Sequence, residues 1–564
     1  MEWSNKIIDE YLCMINEYFS PVLITFNSMT FGLDNVNTYS DLIESIDSEV
    51  YKNLIEVYEE LIKNLKIQQN SLIGFSINNL SQLISAIIIT RIMRKNVKAH
   101  YFIGGSYLSA NVDVIIKCNK LFEVFDSLCL YDGEHATENL YNHIYFGEQL
   151  EYKNIISKEN RRIYQKDEYY IEDIRKLPAP SYKGICFSDY LSPINIISLP
   201  ISRGCYGSCT FCSYNHLASS KWREQSVEQI ISIIKECIDK YKSKYFFFSV
   251  ATLSPKMAKE LSKRLIEEKL EIYWASGIRM EKAFDDETLK LMSKAGCLRL
   301  DIGVESANQV TLNRMNKMVE VVDYKEIIFN MDKNNILPYL YIIKNFPMEN
   351  YEQWKDTISF LEDVKEKILG FSCYDFFVSP NTTIWNNPQR FNLKIKTNLE
   401  SNEDTIDIVK SVISDISEEE KDKKNKLLDS FYKKNKEKFV HYGNAYIDKS
   451  MPMVFSNQML YIVEKNNNNH NLYKLDIDKI YHIDKDNIIQ LDDTNDIKTM
   501  LVMKTFCKIQ IIKELYDFLD SNIEMTIRQI ISKYKLNGEK TKKIINLYTI
   551  LEQKNFLINK QEDC

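Results

Sequence analysis

Three cysteines near the middle of the chain have the spacing to bind one metal centre. Cys205, Cys209 and Cys212 follow a C-x3-C-x2-C pattern, which is close enough for three thiolates to reach a single cluster. On a four-iron cluster, three cysteines leave one iron without a protein ligand. An open coordination position is a feature of catalytic rather than structural metal sites. The pattern therefore predicts catalysis at an iron–sulfur cluster.

The stretch Cys-Tyr-Gly-Ser-Cys-Thr-Phe-Cys over residues 205–212 resembles the cluster motif of the radical S-adenosylmethionine (SAM) superfamily. The resemblance implies a [4Fe–4S] cluster whose open iron chelates the amino and carboxylate groups of SAM. Reduction then cleaves SAM to a 5′-deoxyadenosyl radical. The alternative is a zinc site that His216 completes, with the spacing C-x3-C-x2-C-x3-H. The strands and helices that follow favour the cluster, because a small zinc motif does not require them.

The totals for the chain exclude several classes of protein. Its 564 residues predict two to four domains, and 45% hydrophobic with 27% charged residues are ordinary globular proportions. The net charge of -7 argues against a general nucleic-acid or membrane-surface binder. No apolar run approaches the roughly 20 residues of a membrane span, and the first residues lack the basic and apolar regions of a signal peptide. We therefore expect a cytoplasmic protein.

The other cysteines do not form a second metal-binding pattern. Five of them lie singly in apolar segments, as small buried residues do: Cys118, Cys129, Cys237, Cys297 and Cys373. Too few cysteines follow them to bind an auxiliary cluster. The sequence therefore disfavours a methylthiotransferase, which has a second cluster.

Strand and helix patterns alternate within residues 1–150. The strand candidates are Leu72–Ile77, Ala99–Ile103 and Ser127–Tyr131, and Leu80–Met93 has a helical pattern. This alternation predicts a Rossmann-like, doubly wound parallel sheet. In such sheets ligands bind at the carboxyl ends of the strands.

Glycine-containing turns follow the second and third of these strands, in an order that resembles the cobalamin-binding domain of many radical SAM proteins. The resemblance implies that Gly104, Gly105, Ser106, Gly133 and Glu134 face cobalamin. The Asp-x-His-x-x-Gly signature that supplies a lower axial histidine is absent, so bound cobalamin should have no histidine lower ligand. The alternative is a domain that has lost the cofactor and only packs on its neighbour.

Six strand patterns alternate with helical patterns over residues 195–395. The strands are expected at Ile196–Ser202, Tyr245–Ser249, Glu271–Ser276, Leu298–Val304, Pro338–Ile343 and Phe371–Phe377. Six βα repeats resemble the partial (β/α)6 barrel of radical SAM domains. The fold class is thus α/β, with a connecting segment at 151–194 and a charged helical linker at 396–440. A winged-helix-like α+β domain is expected at 441–564, with helices at Ile509–Leu519, Ile527–Tyr534 and Lys540–Glu552.

Residues at the C-terminal ends of the strands are candidates for SAM contacts, because catalytic residues of such barrels lie there. The third strand is followed by Arg279, and the fourth by Glu305-Ser306, which resembles the superfamily's Gly-x-Glu-Ser motif. The resemblance implies that Phe211, Arg279, Glu305 and Ser306 contact SAM. A carboxylate and a hydroxyl suit its amino group and ribose hydroxyls, and a guanidinium suits its carboxylate.

The pairing of these domains in the family implies cobalamin-dependent C-methylation of a peptide or small natural product. An external one-electron reductant of the flavodoxin or ferredoxin type is the expected partner. Two alternatives stay open. One is a cobalamin-independent radical SAM enzyme that rearranges, oxidises or cross-links its substrate, and the other is a regulatory protein with a redox-sensing cluster. No residue in the sequence identifies the substrate or a further catalytic group.

Overall fold

The computed structural model describes residues 51–162, 168–185, 187, 194–214, 221–397 and 416–442, with shorter stretches inside 14–46 and 404–559. Within these residues there are two larger sheets, of four and eight strands, and several sheets of two or three strands. The four-stranded sheet lies within residues 71–157 and the eight-stranded sheet within residues 196–448.

The N-terminal domain is built around the four-stranded sheet. Its elements in chain order are β1 (Val22–Ile24), β2 (Met29–Phe31), α1 (Tyr39–Ser45), α2 (Lys52–Lys63), β3 (Ser71–Ser76), α3 (Leu80–Arg94), β4 (Ala99–Gly104), α4 (Ser106–Ala110), α5 (Val112–Ile115), α6 (Leu121–Val124), β5 (Ser127–Cys129), α7 (Glu134–Phe146) and β6 (Ile155–Ser157). Strands β3, β4 and β5 are parallel neighbours, and β6 pairs antiparallel with β5. The three predicted strands therefore form, in a parallel arrangement.

Two turns lie at the carboxyl end of this sheet. After β4, Gly105 has φ +111°, and a Cβ atom there would overlap the backbone of Ile77, so the turn requires glycine. After β5, Tyr131 has φ +60°, and its N–H leaves the ladder and donates to Ser109 Oγ at 2.8 Å. This left-handed residue ends the strand at Cys129, earlier than the predicted Tyr131.

The second domain contains the eight-stranded sheet. Its elements are β7 (Ile196–Leu199), β8 (Ser202–Arg203), β9 (Arg223–Glu224), α8 (Val227–Tyr241), β10 (Tyr245–Phe248), α9 (Pro255–Glu267), β11 (Tyr273–Arg279), α10 (Asp286–Lys294), β12 (Cys297–Glu305), α11 (Gln309–Arg314), α12 (Tyr324–Lys333), β13 (Leu337–Lys344), α13 (Tyr351–Val364), β14 (Gly370–Asp375), α14 (Thr383–Asn386), β15 (Lys394–Thr397), β16 (Val409–Ile413), α15 (Glu418–Lys434), β17 (Phe439–Tyr442) and β18 (Ala445–Asp448). Strands β7 and β10–β14 are parallel and adjacent in chain order. All six predicted strands form, and α8 to α13 connect them.

The helices of this domain bury one apolar stripe each against the sheet. Helix α8 begins after Ser226, whose side chain accepts a hydrogen bond from the N–H of Gln229. Its apolar residues at Ile230, Ile234 and Cys237 have helical spacing and are buried. The resulting core fixes the strands, and therefore the strand ends that carry the site.

Helix α15 and the hairpin after it differ from the predicted linker. The helix buries Lys424, Leu428 and Phe431, which lie on one face at i, i+4 and i+7. Strands β17 and β18 then extend the sheet antiparallel beside β14. The predicted boundaries at 395 and 440 therefore fall inside one packed unit that extends to Asp448. The single apolar stripe is the physical reason, because it is buried by packing on the domain.

The described parts of the C-terminal region contain short strands and two helices. They are β19 (Tyr481–Ile483), β20 (Ile488–Asp493), β21 (Ile497–Val502), β22 (Cys507–Ile512), α16 (Lys513–Ser521), α17 (Ile527–Lys533) and β23 (Leu557–Asn559). Strands β20, β21 and β22 form an antiparallel sheet. The helix predicted from Ile509 begins only at Lys513, and most of the helix predicted at 540–552 lies outside the described residues. The winged-helix shape stays a prediction. None of the described helices is both long and apolar enough to cross a membrane.

Candidate active site

The three cysteines lie on a loop between two short paired strands. The name cluster loop refers here to the described residues 204–214, which follow β8, together with 221–222, which precede β9. Gly204 has φ +78°, and a Cβ atom there would lie 2.6 Å from the carbonyl oxygen of Lys221, so the loop closes only with glycine at this position. His216, the ligand of the alternative zinc site, lies outside the described residues.

Each cysteine sulfur accepts a hydrogen bond from an N–H group. Cys205 Sγ lies 3.3 Å from the backbone nitrogen of Gly207, and Cys212 Sγ lies 3.4 Å from that of Tyr214. Cys209 Sγ lies 3.5 Å from Nη1 of Arg279. Donors of this kind stabilise thiolates. Burial opposes them at Cys212 and raises the pKa of its thiol to about 11, so a metal ion would have to displace the proton there.

The environment of the thiols fits an anionic cluster. All three cysteines are free and partly exposed, and the guanidinium of Arg279 faces one of them. In the described part of the chain, no three His, Cys, Asp or Glu side chains converge on the position of a single metal ion. A four-iron cluster does not require that, since each cysteine binds a different iron. The donor set, the loop glycines and the adjacent cation are therefore compatible with a cluster and SAM.

Arg279 is part of the cluster-loop environment rather than a surface residue. It lies at the end of β11 with 6% of its surface exposed. Its Nε donates to Glu281 Oε1 at 3.0 Å, and its Nη2 donates to the carbonyl oxygen of Lys317. A side chain at Gly207 would overlap the guanidinium. Burial alone would lower the pKa of Arg279, but Cys209 and Glu281 raise it, so the charge is retained beside the thiols.

Glu305 ends β12 with its carboxylate already paired. Its φ is +64°, and its Oε1 accepts a hydrogen bond from Lys317 Nζ at 2.7 Å. A Cβ atom at Gly303 would lie within 2.6 Å of this carboxylate and 2.8 Å of the ammonium, so glycine provides the space for the pair. Alternation along β11 places Arg279 on the face of the sheet away from the helices, and Lys317 contacts both Arg279 and Glu305, which places Glu305 beside it. The pair is therefore part of the same site as the cysteines.

Ser306 has a different position from the one expected of a SAM ligand. It is 0% exposed, and its Oγ lies 3.3 Å from Thr357 Oγ1 and 3.5 Å from Glu349 Oε1. The carboxylate of Glu349 lies 3.5 Å from Lys424 Nζ on α15, and both side chains are 0% exposed. Burial raises the pKa of Glu349 to about 7, against the opposing effect of Lys424. Ser306 thus connects the end of β12 to a buried ion pair.

Polar and aromatic side chains continue along the same face of the sheet below Glu305. Arg299 Nε donates to Asp301 Oδ1 at 2.6 Å, and its guanidinium lies 4.7 Å from the ring centroid of Tyr339. Tyr339 and Ser372 share a hydrogen bond of 2.8 Å between their hydroxyl groups. By alternation from Ser372, Tyr374 lies on this face, and it is exposed. These residues line the inner face of the sheet.

Phe211 lies between two of the cysteines and packs on the end of β13. Its ring is perpendicular to that of Phe346, with centroids 6.3 Å apart, and Phe346 contacts Phe376 in the same way at 5.2 Å. This aromatic cluster is an apolar wall beside the cluster loop.

A cavity of about 1210 Å³ lies between the N-terminal domain and the cluster loop. Gly133 and Glu134 contribute to its wall from one side, and Arg203 and Tyr214 from the other. Of the other expected cobalamin residues, Gly104, Gly105 and Ser106 are not among the lining residues. Ser106 Oγ instead donates to Asn78 Oδ1 at 2.8 Å, and Asn78 lines the cavity. The two glycine turns are thus near one cavity, but only one of them forms its wall.

Three residues of this site could not be assigned from the sequence. Lys317 lies in a loop, Glu349 in a turn, and Lys424 among seven other charged residues near the start of α15. For Lys424 there was one signal, because it occupies the apolar stripe with Leu428 and Phe431. For Lys317 and Glu349 the sequence contains no periodic pattern that distinguishes them from surface charges.

Comparison with known proteins gives matches over this region. The family described as the Radical SAM superfamily matches residues 199–361. An uncharacterized methyltransferase of Pyrococcus horikoshii, PH0819, is 25% identical over 418 residues, or 71% of this chain and 88% of the relative. The bacteriochlorophyllide d C-12(1)-methyltransferase of Chlorobaculum tepidum is 25% identical over 182 residues, which are 31% of this chain and 40% of the relative.

Among solved structures, the radical SAM methyltransferase TsrM from Kitasatospora setae, with cobalamin and a [4Fe–4S] cluster bound, has a TM-score of 0.50. It is 12% identical, and the similarity covers 61% of this chain and 70% of that chain. At this identity the similarity concerns the fold. Together with the family match, it accounts for both the six parallel strands and the cysteine loop. Residues 199–361 are thus a radical SAM domain, and the chain is a radical SAM enzyme with relatives among the methyltransferases.

Proposed function

We propose that this enzyme is a cobalamin-dependent C-methyltransferase that acts on a peptide or a small natural product. One observation supports it most, namely the cavity of about 1210 Å³ at the junction of the N-terminal domain and the cluster loop. Ligands of open parallel sheets bind at the carboxyl ends of the strands, and the cavity lies at that end. A cofactor there would contact both the glycine turn and the loop of the cysteines.

Cys205, Cys209 and Cys212 would each bind one iron of a [4Fe–4S] cluster and leave the fourth iron for SAM. When bound, the cluster and SAM supply the 5′-deoxyadenosyl radical, and cobalamin supplies the methyl group. Arg279 lies 3.5 Å from Cys209 and offsets the negative charge of the thiolates. A one-electron reductant of the flavodoxin or ferredoxin type would serve as the partner.

For SAM, Glu305 would bind the amino group and Arg279 the carboxylate. Phe211 would provide the apolar wall, since its ring packs on Phe346 beside the loop. Ser306 would act indirectly, because its buried hydroxyl faces Glu349 and Thr357. This differs from the expected contact with the ribose hydroxyls.

For cobalamin, the proposal relies on the turn at Gly133 and Glu134. The histidine nearest to that turn, His135, stacks on Tyr170 with ring centroids 4.0 Å apart, and its Nε2 lies 3.7 Å from Glu151 Oε2. These contacts support a structural role for His135, and the absence of a histidine lower ligand stays a prediction. Gly104, Gly105 and Ser106 would not contact cobalamin directly. Asn78 would line the cavity in their place, with its side chain held by Ser106.

Anaerobic reconstitution with iron, sulfide and hydroxocobalamin tests the proposal. Under dithionite the protein should form 5′-deoxyadenosine from SAM and show bound cobalamin absorbance. The variant with Cys205, Cys209 and Cys212 all changed to Ala should lose iron and SAM cleavage but keep cobalamin. Persistent 5′-deoxyadenosine in that variant would refute the cluster assignment.

The second candidate is a cobalamin-independent radical SAM enzyme that rearranges, oxidises or cross-links its substrate. It is favoured by the ion pairing of Glu134 with Arg203, and Gly104, Gly105 and Ser106 do not line the cavity. Reconstituted protein that cleaves SAM without cobalamin absorbance would select it.

A further inference from the structure

The cluster loop begins and ends at two arginines that face each other. In the paired strands β8 and β9, Arg203 lies opposite Arg223 in register. These two residues, the arginine pair, bracket the stretch that holds the three cysteines. Two adjacent guanidinium groups repel each other unless a negative charge lies between them. The closure of the loop therefore depends on what neutralises the pair.

One carboxylate of the N-terminal domain binds both arginines. Asp132 Oδ1 lies 3.0 Å from Arg203 Nη1, and Asp132 Oδ2 lies 2.6 Å from Arg223 Nη1. Glu134 also pairs with Arg203, at 2.9 Å from Nη1. Burial alone would raise the pKa of Glu134, but the hydrogen bond and charge of Arg203 lower it. The two domains are thus joined by ion pairs at the base of the cluster loop.

Asp132 is also bound by the segment that leads from its domain to the second domain. Its side chain is 6% exposed, and its Oδ2 accepts a hydrogen bond from the N–H of Glu172 at 3.1 Å. Arg223 Nη1 donates to the carbonyl oxygen of Glu172 at 2.8 Å, and the backbone of Asp132 accepts from Asn154 Nδ2 at 3.1 Å. Charged groups with this degree of burial and bonding have fixed geometry. The carboxylate therefore defines where the arginine pair lies.

The same residues form the wall of the cavity. Asp132 and Glu134 line it from the N-terminal domain, and Arg203 and Tyr214 line it from the side of the cluster loop. Tyr214 is two residues from Cys212, and its N–H donates to that sulfur. A molecule that fills the cavity thus contacts the ion pairs and the cysteine loop together.

We propose that Asp132, acting through Arg203 and Arg223, is a positioning residue that sets the geometry of the cluster loop. The occupancy of the cavity and the order of the loop are coupled through it. The coupling is reciprocal, so an ordered loop also favours a filled cavity. The coupling, but not the positioning, rests on the proposed binding of cobalamin.

Amide hydrogen exchange of the protein without cofactors tests the positioning. Asp132→Asn keeps the shape of the side chain and removes its charge, and exchange at residues 202–214 and 221–224 should accelerate at least about tenfold. Asp126→Asn is the matched control, since Asp126 pairs with Arg94 in the same domain at 2.8 Å, and it should leave this loop unchanged. Asp132→Glu should restore part of the protection. Unchanged exchange of the loop in Asp132→Asn would overturn the positioning role.

A second variant separates positioning from folding of the N-terminal domain. Arg203→Gln changes the loop side of the contact, and it should accelerate exchange of the loop while β3, β4 and β5 keep their protection. After reconstitution, both variants should shift the electron paramagnetic resonance spectrum of the reduced cluster, whereas Asp126→Asn should not. If the spectra of both variants were identical to the spectrum of the protein without substitutions, the positioning role would be contradicted.

Hydroxocobalamin alone is the probe for the coupling. Added to the protein without cluster, it should slow exchange of the loop, and this protection should be lost in Asp132→Asn. If the unchanged protein binds no hydroxocobalamin, the coupling and the cobalamin-dependent function both fail. The exchange comparison without cofactors still decides the positioning role in that case.

Discussion

The two sides of the candidate site are held in place by ion pairs that differ in burial. On the side of the cysteines, the arginine pair binds Asp132 and Glu134 across a domain junction, beside an open cavity. On the side of Glu305, the support is the pair of Glu349 and Lys424, which is 0% exposed and lies within one domain.

This difference predicts different responses to perturbation. A partly exposed ion pair such as that of Glu134 and Arg203 is screened by salt and is weak, whereas a fully buried pair is insensitive to salt and intolerant of the loss of one partner. The Glu305 side should therefore behave as part of the folding core, and the cysteine side as an adjustable junction.

Removal of Lys424 gives the largest expected effect. Lys424→Met leaves the carboxylate of Glu349 buried without its partner, so the free energy of unfolding should fall by about 3–5 kcal/mol. Lys434→Met is the matched control on the same helix, since the Lys434 side chain is 68% exposed, and it should cost less than about 1 kcal/mol. Urea titrations measure both. Equal losses would contradict the stronger dependence of stability on a fully buried pair than on an exposed one.

The buried pair also predicts a pH dependence. The pKa of Glu349 is raised to about 7 by burial, above its ordinary value of 4.5. The folded protein therefore binds more protons than the unfolded chain between these values, and the stability that this group contributes falls as the pH rises through that window. Unfolding free energies measured from pH 5 to 8 should show the decline. Glu349→Gln should lack it, and the exposed-site variant Glu352→Gln should retain it.

Loss of the bond between Thr357 and the end of β12 should have a smaller effect. The Thr357 hydroxyl accepts a hydrogen bond of 2.9 Å from the N–H of Ala307 and contacts Ser306. Thr357→Val keeps the volume of the side chain and leaves that N–H without a partner. The free energy of unfolding should therefore fall by about 1–3 kcal/mol. Affinity for SAM should fall in parallel, measured by equilibrium dialysis. Thr357→Ser, which keeps the hydroxyl, should retain affinity, and equal losses in both would contradict the role of the bond.

Salt should have the smallest effect of these perturbations, and it should act only at the junction between the two domains. Raising sodium chloride from 0.05 to 0.5 M shortens the screening length several-fold, so amide exchange at Arg203 and Arg223 should accelerate by a factor of a few. Exchange at Ser306 and Ala307 should stay unchanged. Acceleration at both places would mean that the two sides of the site are supported in the same way.

Most of the sheet could be predicted from the sequence, because periodicity and strand spacing are local. The six strands of the radical SAM domain and the three parallel strands of the N-terminal domain have the expected places. The segment Cys507–Ile512 forms a strand where a helix was expected from Ile509, although its apolar residues at 507, 509 and 511 alternate with a period of two. The sequence thus contains the period-two pattern of a strand, but the pattern was interpreted as that of a helix.

The candidate site was less predictable, because its support comes from contacts between distant residues. The motif indicated Glu305 and Ser306 together, yet the left-handed backbone at Glu305 directs the two side chains to different surroundings. Alternation alone did not show whether Tyr374 or Asp375 faces the interior of the barrel. In the structure Phe371 and Cys373 pack in the core with the helices, so Tyr374 lies on the opposite, inner face of the sheet. The apolar stripe of α15 is visible in the sequence, but the linker assignment failed because a stripe does not indicate which surface covers it, and here it packs on the domain.

The contact between Lys317 and Glu305 has a consequence for ligand affinity. If Glu305 binds the amino group of SAM, the ammonium at 2.7 Å is a tethered competitor for the same oxygen atoms. The apparent dissociation constant then equals the intrinsic constant divided by the fraction of molecules in which Lys317 has moved away. Lys317→Met would abolish this internal inhibition, and an equilibrium titration with SAM should show tighter binding, whereas weaker binding would identify the lysine as a ligand. Under this assignment, Lys317 would occupy the position of the amino group of SAM in the free enzyme.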